Sequence, residues 1–414
     1  MPFTARARAI TAFTTIMAVL LAGCDIAGPS APGDKFAGCY DNSCVDAPML
    51  VSAAPPLASL SAGTSHTCGL TAAGEAWCWG DNTLGALGEG SDALRTGPVQ
   101  VSGALRFASI AAGRHVTCGI TLDQAAYCWG LASGGQIAQL VPDRCGTSGA
   151  LCALQPLRIG TMRATAIAAG TRHVCALDTS GTAYCWGFNF LGETGGSDFG
   201  TTTFVPRRVA AAEPFVAIGA GDSYTCARTA AGRVSCWGSA GRGELGRAGV
   251  SCTSVLAGVT NLCSPTPAPV NSAVSFASVS VGNSHSCAIA SSAEVLCWGD
   301  NGQGQLGTGE YRNADTPVRA FGGKTFVAIA ASGGATCGTP VTGPTVCWGL
   351  NQWGKLGIGQ RLDLSPTPRE TAGGRRFVTI AASENHLCAL TADGATYCWG
   401  LGAQGQLGAG PRTR

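Results

Sequence analysis

Val281-Gly282-Asn283-Ser284-His285-Ser286-Cys287-Ala288, followed by Cys297-Trp298-Gly299-Asp300-Asn301 and then Gly304-Gln305-Leu306-Gly307, decides the fold because the phrase recurs along the whole chain. Its Cys-Trp-Gly part begins at Cys78, Cys128, Cys185, Cys236, Cys297, Cys347 and Cys398, at intervals of 50, 57, 51, 61, 50 and 51 residues. A fixed period of this length marks a repeat architecture that closes as one unit, whatever domain count 414 residues would otherwise suggest. With 61 Gly, 20 Pro and only 12% charged residues, the composition argues against a helical bundle and for many short strands.

Inside one unit the polar and apolar residues alternate over strand-length runs, such as residues 107–112, 115–121 and 125–129. The stretch from Cys68 to Cys78 reads as a hairpin centred near Ala73, which sets the two cysteines opposite each other within disulfide reach. Cys78 and Trp79 are neighbours and point to opposite faces of their strand, so both faces must be covered. Blades stacked face to face around an axis meet that requirement.

The chain has 21 cysteines. With Cys24 set aside, the others fall into local pairs: Cys68/Cys78, Cys118/Cys128, Cys175/Cys185, Cys226/Cys236, Cys287/Cys297, Cys337/Cys347 and Cys388/Cys398 within the repeats, plus Cys39/Cys44, Cys145/Cys152 and Cys252/Cys263. Whether Cys39 and Cys44 join each other is left open by their tight spacing. Even parity without closely spaced cysteine knuckles points to structural disulfides in an oxidising, exported compartment rather than to a metal site. The N-terminus agrees: Arg6 and Arg8 precede an uncharged stretch that is too short for a permanent membrane span and ends in Leu21-Ala22-Gly23-Cys24. Those four residues resemble the lipobox of bacterial lipoproteins. The resemblance implies that residues 1–23 are a signal peptide, that Cys24 is the lipidated first residue, and that the protein is anchored to a bacterial membrane on the periplasmic side or at the cell surface. Residues 24–47 are then the lipidated terminus and linker, 48–410 the repeats, and 411–414 a tail.

Lys and Arg number 26 against 24 Asp and Glu, and removing the leader with its two arginines leaves 24 against 24. A neutral chain lacks the global basic excess that drives nucleic-acid binding.

The units resemble the repeats of the regulator of chromosome condensation (RCC1) family, whose pattern runs through a small-residue turn, a histidine, two strands, Trp-Gly-x-Asn and Gly-Gln-Leu-Gly. The resemblance spans nearly all the mature chain and implies an all-β, seven-bladed β-propeller. Residues 97–113 align without a gap on 47–63, whereas the chain stops soon after Gly405-Gln406-Leu407-Gly408. An N-terminal strand at 48–52 is therefore expected to close the last blade and protect its edge. Departures from the pattern are Tyr224 and Ala335 in place of histidine, His115 displaced by one position, and Gly135-Gln136-Ile137-Ala138 in place of Gly-Gln-Leu-Gly.

Gly302-x-Gly304-x-x-Gly307 and Gly241-x-Gly243-x-x-Gly246 match the dinucleotide fingerprint only by accident, since they belong to a recurring β-turn and no helix follows. His66, His115, His173, His285 and His386 come one per repeat, which favours a packing role over metal ligation. No phrase marks an activated nucleophile or paired carboxylates, so neither an enzyme nor a cofactor is expected. What remains is surface. The insertions at residues 131–155 and 239–265 occupy the same segment of the repeat and should emerge on one face of the ring. Phe188, Phe190, Tyr311 and Trp353 lie in loops after Trp-Gly and are candidate ligand-binding aromatics, although Phe190 could equally pack between blades. The sequence thus predicts a non-enzymatic protein-binding scaffold in the cell envelope. A glycan-binding propeller is the alternative, and guanine-nucleotide exchange, which the family resemblance implies, is the less favoured one.

Overall fold

The structure, a computed structural model, describes residues 44–410 apart from 52, 142, 197–199, 249, 254–259, 321–323 and 361. The expectations for Cys24 and Cys39 lie outside the described residues. Among those residues the chain forms antiparallel strands and one short 3-10 turn at Gln352–Gly354, with no α-helix.

Seven four-stranded blades follow one another. Blade 1 is typical: Ser59–Ala62, His66–Leu70, Ala76–Gly80 and Arg95–Gln100 pair in sequence order, from the axis outward. Blades 2 and 3 share one continuous strand, Ala150–Ala169, whose first part pairs with Ala125–Leu131 and whose last part pairs with His173–Asp178. Blade 4 gains a fifth strand, Val250–Thr253, on the flank of Thr260–Pro269.

The N-terminal strand closes the ring. Cys44–Leu50 pairs antiparallel with Thr396–Leu401, the third strand of blade 7. It begins four residues before the expected 48, inside the stretch read as linker, because the register starts at Cys44 opposite Leu401. Cys44 is disulfide-bonded. The closing strand also fills the place that the next blade's fourth strand holds elsewhere: the loop glycine Gly354 of blade 6 packs against Asp46, as Gly304 of blade 5 packs against Pro366.

Each blade hairpin carries its disulfide. Cys68–Cys78, Cys118–Cys128, Cys175–Cys185, Cys226–Cys236, Cys287–Cys297, Cys337–Cys347 and Cys388–Cys398 stand directly opposite, with Cα atoms 4.0–4.1 Å apart, closer than opposed strand residues usually stand. Cys145–Cys152 and Cys252–Cys263 brace the two insertions.

Tryptophan joins the blades. All seven Cys-Trp-Gly indoles are fully buried, and each Nε1 donates to a backbone carbonyl in the loop of the preceding blade, as Trp129 does to Ala86 (2.9 Å) and Trp348 to Gln305 (2.9 Å). Trp79 donates to Gln406 (2.9 Å), which carries the pattern across the junction of blades 7 and 1. Burial of a large aromatic contributes about 3 kcal/mol, and a satisfied N–H avoids the penalty of an orphaned donor. In blades 2, 4, 5, 6 and 7 a phenylalanine at the start of the inner strand, or in blade 7 two residues before it, packs on the same indole, with ring centroids 5.7–6.2 Å apart. Blade 3 has Ala164 in that position and blade 1 has Leu57.

Candidate functional site

The inner strands of all seven blades end at one polar mouth on the axis, a cavity of about 150 Å³. Five of the seven blades place glycine there, where the backbones pack closely, and blades 6 and 7 place Ser332 and Ser383. A Cβ on Gly63 would lie 2.2 Å from the carbonyl oxygen of Gly113, and one on Gly113 would lie 2.5 Å from that of Gly170. Glycine is required by this close approach between blades, not by an unusual φ. The loops after Trp-Gly start on the same face, because their first amides bond to the mouth loops: Asp81 to Ser65 (2.9 Å), Leu131 to His115 (2.8 Å) and Ser239 to Ser223 (2.8 Å). Both insertions grow from these loops, so mouth and insertions share one face of the ring. The first insertion leans on blade 1, where the Gly146 amide donates to Asp92 (3.1 Å).

Beneath this face the repeat histidines cross the seams between blades. The Nε2 of His66 meets the Thr117 hydroxyl (2.8 Å), His173 meets Thr225 (2.8 Å), His285 meets Thr336 (2.8 Å), and His386 meets Thr67 (2.7 Å). The threonine in turn donates to the carbonyl that also receives the indole, as Thr117 does to Ala86 and Thr336 to Gln305. Burial pushes His66, His173 and His285 down to about 4 and His386 to about 3, so all four are neutral at ordinary pH. Tyr224 spans its seam by donating to the His285 carbonyl (2.7 Å) and meeting the Ser286 hydroxyl (3.0 Å).

The two remaining seams are apolar. Where histidine gives way to Val116, the next blade offers Val174 instead of a hydroxyl, and where it gives way to Ala335, the next blade offers Leu387; all four are buried. The exchanges come in pairs. At the second apolar seam the buried Lys355 takes over the polar link, donating to the carbonyls of Gly333 (2.6 Å) and Glu384 (2.9 Å). Sequence reading places the histidines but misses their partners, although the signal is legible: the residue after each histidine position serves the preceding blade.

The four candidate aromatics do not form one site. Phe188 and Phe190 stack (5.0 Å) in blade 3, and the Arg172 guanidinium lies over Phe188 (5.3 Å). Tyr311 stands half exposed in the blade 5 loop. Trp353 is not an exposed anchor. It is partly buried against Cys44 and Leu401, because the closing strand runs beneath its loop. The displaced His115 is partly exposed and lines a pocket of about 190 Å³ with Arg114, Gln136, Arg172 and Phe188. Among the described residues no group of three His, Cys, Asp or Glu side chains comes together that could hold a metal ion.

Comparison with known proteins agrees with this geometry. The model of the RCC1-like domain matches residues 146–414, and models of the regulator of chromosome condensation (RCC1) repeat match residues 58–86 and 73–120. Curated relatives include the mitochondrial RCC1 domain-containing protein RUG3 of Arabidopsis thaliana, 32% identical over 161 residues, covering 37% of this chain and 34% of RUG3. The Ultraviolet-B receptor UVR8 of the same plant is 28% identical over 250 residues, covering 59% of this chain and 54% of the receptor. The chain thus spans about a third to a half of these relatives. Among solved structures, human WBSCR16 (TM-score 0.67, 18% identity, 83% and 86% of the two chains) and Prp20p of Saccharomyces cerevisiae (TM-score 0.64, 18% identity, 83% and 81%) share the fold. With the family model matching more than half of its length and the same repeat returning in every blade, the chain belongs to the RCC1-like family of β-propellers.

Proposed function

We propose that this protein is an exported, non-enzymatic scaffold that binds another protein through the Trp-Gly face of its propeller, held to a bacterial membrane by lipid on Cys24. The observation that carries the reading is the placement of both insertions, each braced by its own disulfide, on the face that also holds the mouth. Braced loops on a rigid ring lose little conformational freedom on binding, which suits recognition. Nine disulfides among the described residues favour an oxidising compartment. Solved structures of similar fold supply precedent: the yeast Prp20p structure is described with its binding to Gsp1p and histones, and another shows Kap60 bound to yeast RCC1.

Cross-linking of the full-length protein in living cells, with mass spectrometry of its adducts, tests the reading. One protein should be captured by the native chain and lost when the insertions at 131–155 and 239–265 are trimmed. Recovery of envelope glycan alone would instead favour the sugar-binding alternative, with the exposed Tyr311 as first suspect. Metabolic labelling with palmitate tests the anchor, which Cys24→Ala should abolish.

A further inference from the structure

We propose that the pocket between blades 2 and 3 on the Trp-Gly face is a seat for a carboxylate carried on a peptide, either an acidic side chain or a free C-terminus of the partner. The proposal rests on the protein-binding reading and names the chemistry of its anchor point.

The seam beneath this pocket departs from its neighbours. Val116 and Val174 replace histidine and hydroxyl, and His115, released from the seam, turns toward the surface beside Arg114. Arg114 and Arg172 are exposed and, among the described residues, neither forms an ion pair. Arg172 is held in place over Phe188, which itself stacks on Phe190, so one cation is positioned before any ligand arrives. Asp81 acts electrostatically on His115 and the buried Glu193 on Arg172, so both offset part of the local positive field, but among the described residues neither pairs directly with the two arginines.

A second, independent observation points to a ligand. Gln136 lines the pocket and is 4% exposed, yet its Oε1 has no partner. In other copies of the phrase the same atom closes on its own loop: Gln305 accepts the Gln303 amide (2.8 Å) and Gln406 accepts the Gln404 amide (2.8 Å). In the second repeat the corresponding bond from Gly134 is not made. A buried acceptor without a donor is costly, and a ligand N–H would relieve it.

The two requirements select the ligand. The arginines call for an anion, and the Gln136 oxygen calls for a donor a few ångströms away. A phosphate monoester dianion brings only acceptor oxygens to the glutamine lone pairs, and inorganic phosphate carries its P–OH donor on the anion itself rather than a few ångströms away. A peptide carries a carboxylate and an amide N–H together. The volume of about 190 Å³ suits one anchoring residue, below the roughly 300 Å³ at which pockets for whole small molecules begin.

Saturation-transfer NMR on the full-length protein in detergent tests the seat, with acetylated tripeptides as probes. One probe carries an internal Asp and an amidated end, a second has a free C-terminal carboxylate, and controls replace Asp with Asn or amidate the end. At least one acidic probe should bind and its neutral control should not, and which probe binds identifies the source of the carboxylate. Arg114→Ala combined with Arg172→Ala should weaken binding at least about tenfold. Gln136→Leu should weaken it several-fold without loosening Trp186, which bonds to the Gln136 backbone carbonyl (2.7 Å). Unchanged melting temperatures in these variants separate lost binding from lost folding. The proposal is overturned if neutral controls bind equally, if the double arginine variant binds as well as the native chain, or if inorganic phosphate displaces the peptide at equal concentration. Cross-links in cells keep the two readings apart: a partner still captured by the double arginine variant removes the seat but leaves the platform, whereas no captured protein with the native chain removes the platform.

Discussion

The seam between blades 3 and 4 and the seam between blades 2 and 3 solve one packing problem with opposite chemistry. In the first, His173 reaches Thr225, and Thr225 donates to the Glu193 carbonyl. In the second, Val116 and Val174 lie in one apolar cluster, and among the described residues the polar side-chain link is the Trp186 indole, which donates to the Gln136 carbonyl. Each solution leaves one buried atom unserved, the Nδ1 of His173 at the polar seam and the Oε1 of Gln136 at the apolar one, whereas a mixture of the two would strand a further donor or acceptor. The unit of specification is therefore a pair drawn from adjacent blades, not a residue within one repeat.

The largest expected effect follows from acid. For each polar-seam histidine the folded value lies near 3–4, below the unfolded 6.5. Between those limits the unfolded chain binds more protons, so the stabilisation is complete above pH 6.5 and is lost as pH falls toward 4. Urea denaturation should show a loss of at least about 5 kcal/mol from pH 7.5 to 4.5. The double change His173→Val with Thr225→Val, which turns this seam apolar, should make that dependence shallower by about one proton. An unaltered slope would mean that the histidines do not dominate acid stability.

The second expectation sharpens the pairing itself. Val116→His alone places an imidazole opposite Val174, leaves its nitrogens unpartnered, and should cost about 2–4 kcal/mol. Adding Val174→Thr should recover about 1.5 kcal/mol or more, because the new hydroxyl can donate to the Gln136 carbonyl as Thr225 does to Glu193. Additive effects in this double-mutant cycle would break the comparison.

Much of this organisation is legible in the amino-acid sequence. The repeat period and the opposed cysteines follow from spacing, and the closing strand, though four residues early, follows from the alignment of 97–113 on 47–63 within a ring, because a regular hairpin and an unpaired edge impose local rules. The shared strand Ala150–Ala169 is not legible, since a hairpin-face loop and an extended crossing differ by only a few residues such as Gly160 and Met162. Trp353 reads as exposed from its loop position, which says nothing about a strand arriving from some 300 residues earlier in the sequence, yet it packs on Cys44. Orphaned atoms such as the Gln136 oxygen depend on side-chain placement between blades, which repeat alignment does not encode.

A smaller effect is expected at the other apolar seam. Lys355→Met removes the ammonium that joins Gly333 and Glu384 and leaves two carbonyls unserved, at a cost of about 1–2 kcal/mol at pH 7. Burial holds Lys355 down near 8, against 10.5 unfolded. The unfolded state thus binds the extra proton over that window, and the native lysine contribution grows as pH rises through it. The penalty of the substitution should therefore be larger at pH 10 than at pH 7.

The smallest effect, and the only stabilising one, concerns Glu193 at the polar seam. Its side chain holds the place of Gln305 and Gln406, accepting the Leu191 amide as they accept theirs (2.7 Å), but burial raises its carboxyl to about 7. A raised acid works in the opposite sense to the histidines: the native state keeps a proton that the unfolded state has released, so stability falls as pH climbs from 4.5 through 7. Glu193→Gln keeps the acceptor, the backbone carbonyl that serves Thr225 and Trp237, and the shape, while removing the charge. It should be near neutral at pH 5 and stabilise by about 1–2 kcal/mol at pH 8, read from urea midpoints. A destabilised variant at pH 8 would show that the carboxylate is matched by Arg172, and the seam would then owe part of its strength to an ion rather than to the histidine and threonine alone.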